Sequence, residues 1–75
     1  TEVGIRMLVE AAIKSNAAAV IIAHNHPGAL PLPSKEDEYC TRLVKKALEL
    51  VDIKLLDHII VGGKEFQSLN KNGLM

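Results

Sequence analysis

The chain has 75 residues, 48% of them hydrophobic, with nine basic and nine acidic side chains and no formal net charge. This excludes a second domain and a disordered chain, and it argues against nonspecific nucleic-acid binding, which draws its affinity from a basic surface. A chain this short buries only about 60% of the surface it exposes when unfolded, so a metal, a partner or further sequence is expected to support the fold.

Residues 2 to 15 read as an amphipathic helix. Ile5, Leu8, Val9, Ala12 and Ile13 recur at the spacing of one helical face. Thr1 is the expected N-cap, and Ser15-Asn16 the expected end. Residues 17 to 23, AAAVIIA, are a continuous apolar run with a β-branched centre. The run is too short for a typical helix and fits a strand buried on both faces. Residues 24 to 33, HNHPGALPLP, hold three prolines and a glycine, a density no regular element survives. Residues 35 to 51 form the clearest helix. Cys40, Leu43, Val44, Ala47, Leu48 and Val51 line one face, Ser34 is the N-cap, and Asp52 falls in the closing turn. Residues 53 to 61 read as a strand, bent or broken near Asp57. Gly62-Gly63 marks a hairpin, residues 64 to 69 a short returning strand with Phe66 inward, and Asn72-Gly73 a turn.

The order is helix, strand, loop, helix, strand, hairpin strand. The two strands joined by the second helix make a right-handed βαβ unit. In such sheets ligands bind beyond the carboxyl ends of the strands, where His24 and His26 fall. Histidines at i and i+2 on extended backbone project to one side and can reach a single ion. Pro27 sets the direction of the chain that follows. The loop then returns the chain so that Asp37, in the first turn of the next helix, faces the same point. Two histidines and one aspartate are nitrogen and oxygen ligands that zinc accepts, and three protein ligands leave a fourth position open for water, the pattern of a catalytic site. Ser34, one helical turn before Asp37, is placed to donate to a developing oxyanion at the positive end of the helix. Ser34 and Asp37 also read together as a capping box, and the two roles are compatible.

The pattern His24-x-His26-Pro27, six residues, Ser34, two residues, Asp37 resembles the JAMM motif of the MPN superfamily. The stretches AAAVIIAHNHP, PLPSKED and LLDHIIVGG resemble the RadC-like branch in order and spacing, over nearly the whole chain. The resemblance implies an α/β domain with a mixed sheet flanked by helices, the cytidine-deaminase-like three-layer fold, with residues 1–75 as its C-terminal portion. It implies a zinc-dependent hydrolase of peptide or isopeptide bonds, with His24, His26 and Asp37 as metal ligands and Ser34 steadying the tetrahedral intermediate. The superfamily's general base, a glutamate on a strand well upstream of the histidines, has no match here. Glu2 and Glu10 lie on the first helix, and Glu36 and Glu38 point roughly 100° away from Asp37. The chain is therefore expected to be a piece of a longer protein.

The competing expectations are a non-catalytic metal-binding scaffold in a DNA-repair-associated protein and, lower, a nuclease. A nuclease should carry basic groups at its site, and the loop from His24 to Pro33 has none. Asp57-His58 reads as an internal polar pair or a strand kink, with support of the metal site as the alternative. Cys40 is expected in the core. A single cysteine permits no internal disulfide and reads as cytosolic. No apolar run approaches a membrane span, no secretory signal is visible, and the incomplete sheet makes self-association an expectation.

Overall fold

A computed structural model describes residues 4–26 and 30–75. Among them α1 spans Ile5–Lys14, β1 Ala19–Asn25, α2 Lys35–Leu50, β2 Lys54–Gly62 and β3 Glu65–Ser68. The sheet order is β1-β2-β3, with β1 and β2 parallel and β2 and β3 antiparallel. The expected α/β class with a mixed sheet holds. Thr1 and Glu2, the proposed helix start, lie outside the described residues; within them Gly4 takes the N-cap position of α1.

Both helices stop by the same device. Asn16 and Asp52 adopt positive φ, 55° and 64°. Around them Asn16 N–H donates to Ile13 O and Ala17 N–H to Ala12 O; Asp52 N–H donates to Glu49 O and Ile53 N–H to Leu48 O. These paired bonds are the Schellman arrangement, which satisfies the last carbonyls and turns the chain. Asn and Asp tolerate the left-handed region better than other side chains with a Cβ.

One core joins both helices to one face of the sheet. It is built from Ala12 of α1, Val44 and Leu48 of α2, and Ile53 and Leu55, with Leu8, Val9, Val20 and Ile22 packed against it. Val20, Ile22 and His24 therefore point toward the helices, and Ile21, Ala23 and Asn25 point away. The strand expected to be buried on both faces is covered on one: Ile21 is 60% exposed. The apolar run hid this alternation because both faces carry apolar residues. Ile13, counted on the apolar stripe of α1, is likewise exposed.

The irregularity expected near Asp57 is a register shift. Val20 pairs with Leu55 and Ile21 with Asp57, so Leu56 is extra on β2. Such a bulge bends the strand and brings His58, paired with Ile22, onto the helix side. The hairpin turns through Gly63 and Lys64, with Gly63 at φ 58°. That register pairs Phe66 with Val61 and Gln67 with the fully buried Ile60. Phe66 thus lies on the face away from the helices, 67% exposed, and not inward as expected. A two-residue loop fixes which side chains face the core, and here it assigns that face to Glu65 and Gln67.

Candidate metal centre

The site forms where β1 ends. His24 pairs with Ile60, and past the last strand residue His26 N–H still donates to Val61 O at 2.7 Å. The ladder thus holds both histidines on extended backbone, two residues apart and on one side. Pro27, which the sequence pattern includes, lies outside the described residues. Across from them α2 begins. Ser34 is its N-cap, with extended dihedrals, and the capping box is complete. Ser34 Oγ accepts from Asp37 N–H at 3.0 Å, and Ser34 N–H donates to Asp37 Oδ2 at 2.8 Å. Ser34 O–H also donates to Oδ2, at 2.9 Å. The cap fixes the Asp37 side chain as well as the helix.

Three side chains expected from sequence meet here. His24 Nδ1 lies 3.0 Å from Asp37 Oδ1, and His26 Nε2 lies 3.3 Å from Asp37 Oδ2. The two imidazoles stand nearly perpendicular, with centroids 4.7 Å apart. One candidate ligand atom from each residue falls within 4.8 Å of the others. Donors sharing a tetrahedral zinc at bonds of about 2.0–2.2 Å lie roughly 3.3 Å apart; the donor types suit such an ion, and the two His-to-Asp separations match that spacing. The capping bonds fall on Oδ2, which leaves lone pairs of Oδ1 for a ligand's role.

Asp37 is buried. Burial alone would raise its pKa, but the Ser34 N–H, the Ser34 hydroxyl and the His24 ring together outweigh that and hold it below the ordinary value. The carboxylate is therefore ionised at neutral pH, the state a ligand needs. His58 is shifted down, chiefly by burial and also by the charges of His24 and His26, against the opposing pull of Asp37 and Asp57. It is a neutral imidazole at pH 7.

The cavity is lined by His24, His26, Ser34, Glu36, Asp37, Cys40 and His58. Three of these qualify the sequence reading. Cys40 packs partly on the core, as expected, and also borders the cavity. Glu36, read as pointing away, lies exposed at the cavity wall. Asp57 and His58 lie at the strand irregularity and share a bond from the His58 backbone N–H to the Asp57 carboxylate, but their side chains serve different elements. The Asp57 carboxylate accepts from Ser68 O–H, Asn70 N–H and His58 N–H, tying β2 to the turn after β3. The His58 ring turns the other way, to Thr41 beside the site. Thr41 was missed altogether. Its only sequence signal is the i+4 spacing from Asp37, which any helical threonine shares.

Two helices on a three-stranded mixed sheet, with a His-x-His strand end facing an aspartate in a capped helix start, define a small α/β domain of the JAB/MPN type with a candidate metal centre. A profile of the RadC-like JAB domain matches residues 1–74, and the chain belongs to that family. It is 53% identical over 70 residues to "UPF0758 protein PSHAa2643" of Pseudoalteromonas translucida, covering 93% of this chain and 31% of that protein. It is 48% identical over 75 residues to "UPF0758 protein YfjY" of Escherichia coli K12, covering all of this chain and 47% of that protein. The chain thus spans from under a third to about half the length of these relatives. Among the described residues no helix is long and apolar enough to cross a membrane.

Proposed function

We propose that this chain is the C-terminal portion of a JAMM-type domain and carries the metal-binding half of a zinc-dependent hydrolase of peptide or isopeptide bonds, acting in the cytoplasm. The observation that carries the reading is the convergence of His24, His26 and Asp37 on one point of a cavity. Zinc bound there would acidify a water and polarise a carbonyl. The chain's own residues have separate tasks. His24 and His26 offer ring nitrogens, and Asp37, kept ionised by Ser34, offers a carboxylate oxygen. Ser34, at the positive end of α2 and on the cavity wall, would donate a hydrogen bond from its hydroxyl to the oxygen on which charge develops. For that it must release Asp37 Oδ2, its present acceptor. The reading assigns no general base: Glu36 reaches the cavity wall but does not match the upstream glutamate that the resemblance implies, and Glu10 is engaged with Arg6 on α1 at 3.7 Å.

The commitment of the Ser34 hydroxyl to the cap favours one second reading, a metal-binding scaffold without turnover. Nuclease chemistry is disfavoured because none of the described residues lining the cavity is Lys or Arg. The test is metal analysis of the natural full-length protein purified without chelator, beside its His26→Ala variant, followed by assay on peptide and isopeptide-linked substrates. About one zinc per chain, lost in the variant, with hydrolysis that tracks the metal, is the expected result. Metal without hydrolysis would leave the scaffold. A folded protein that takes up no metal would remove both.

A further inference from the structure

Thr41 and His58 belong neither to the ligand set nor to any step above, yet both are buried against the site, at 0% and 2% exposure. Thr41 Oγ1 donates to the backbone carbonyl of Asp37 at 2.7 Å. The same oxygen lies 2.5 Å from His58 Nδ1. A hydroxyl has one proton and a carbonyl can only accept. The Thr41 proton is therefore spent on Asp37, and the hydrogen on the second bond must come from His58. That fixes His58 as the Nδ1–H tautomer and leaves Nε2 as the ring's lone-pair nitrogen. The His58 ring lines the same cavity as the three candidate ligands. It lies within 21° of parallel to the His24 ring, with centroids 6.3 Å apart.

A threonine bonded to the carbonyl four residues back is common in helices and by itself signifies little. The second bond, to another element, changes its meaning. His58 sits on β2 opposite Ile22, two residues before His24 on the same face of β1. The bonds from Asp37 through Thr41 to His58 therefore tie the first turn of α2 to the row of the sheet from which His24 projects. Apart from the contacts of the Asp37 carboxylate with His24 and His26 themselves, the packing that α2 shares with the sheet centres on the apolar Val44 and Leu48, and apolar packing is not directional. A ligand set needs its members held to about 0.5 Å, and a directional bond at the ligand's own backbone supplies that.

We propose that Thr41 and His58 are positioning residues of the metal centre, setting where the Asp37 carboxylate meets His24 and His26. The inference rests on the metal-centre reading above. It is tested in the natural full-length protein by zinc affinity, from competition with a chromophoric chelator, and by the visible spectrum of the cobalt-substituted form. Thr41→Val and His58→Leu are expected to weaken zinc binding about 10- to 100-fold and to shift the cobalt bands, with the far-ultraviolet circular dichroism of the metal-free protein retained. Thr41→Ser keeps the hydroxyl, and His58→Asn puts an amide N–H where Nδ1–H stood. Both are expected to recover most of the affinity, which a loss of packing alone would not allow. Nitrogen-15 correlation spectra of the metal-free wild type should report His58 as Nδ1–H, a result that does not depend on any variant folding.

Wild type that binds zinc, with folded Thr41→Val and His58→Leu matching it in affinity and spectrum, would overturn the inference and leave the metal centre standing. An Nε2–H tautomer at His58 would overturn it as well. Wild type that takes up neither metal would overturn the inference together with the reading beneath it.

Discussion

Ser34 bears two assignments that a single substitution can confuse. Its hydroxyl caps α2 and, in the proposed reaction, donates to an oxyanion. Replacing Ser34 with Ala removes both, whereas Gly is nearly as good a cap as Ser. Ser34→Ala is expected to lower stability by about 0.5–2 kcal/mol, and Ser34→Gly by a few tenths, as read from chemical denaturation. If the hydroxyl serves the reaction, both variants lose about 10²- to 10³-fold in kcat. Turnover that survives in Ser34→Gly would reduce Ser34 to a cap. The legibility of the site at this scale was uneven. His24, His26, Ser34 and Asp37 were all readable, because they lie within one short stretch and their spacing encodes their geometry. Thr41 was not. His58 reads with Asp57 as a polar pair or kink, with support of the metal site only as the alternative. The meeting of Thr41 and His58 depends on how α2 lies on β2, which no local pattern records.

At the scale of elements, the bulge at Leu56 decides more than its one residue implies. Without it the register set by Val20 and Leu55 would continue and His58 would face away from the helices. Asp57, beside the bulge, anchors the other side by accepting from Ser68, Asn70 and His58. Burial would raise its pKa, but these three donors hold it below the ordinary carboxylate value. As pH falls, the unfolded chain takes up this proton before the folded one. The stabilisation is therefore complete above about pH 5 and is lost as pH drops through the folded-state pKa. Asp57→Asn is expected to cost about 1–2 kcal/mol at pH 7, less than a fully buried charged hydrogen bond because the group is partly exposed. Urea titrations of wild type and variant should draw together as the pH falls from the ordinary carboxylate value through the lower folded-state one; a gap that stayed constant with pH would show that the charge is not the source.

For the whole molecule, the one-sided core is the dominant fact. The sheet face away from the helices carries Ile21, Leu56 and Phe66, 60%, 47% and 67% exposed. In the 75 residues by themselves, Ile21→Lys and Phe66→Lys are surface changes. They should lower binding of a hydrophobic fluorescent dye and shift unfolding by no more than about 0.5 kcal/mol. The chain spans under half of its relatives' length, so the same pair of variants in a longer natural protein provides a direct comparison. A cost well above that figure there would show the face to be covered.

The sequence by itself determined the elements, their order, the α/β class and the four residues of the HxH…S…D pattern. Those features rest on local rules: helical and strand periodicity, capping chemistry, turn residues and ligand spacing within 14 positions, His24 to Asp37. The tertiary structure decided which face of each strand is covered, where Phe66 points, and how Asp57 and His58 part company. It also decided that Thr41 stands between Asp37 and His58. Each of these follows from register and from the seating of a helix on a sheet, and both are set by contacts between residues distant in sequence, to which a reading along the chain has no access.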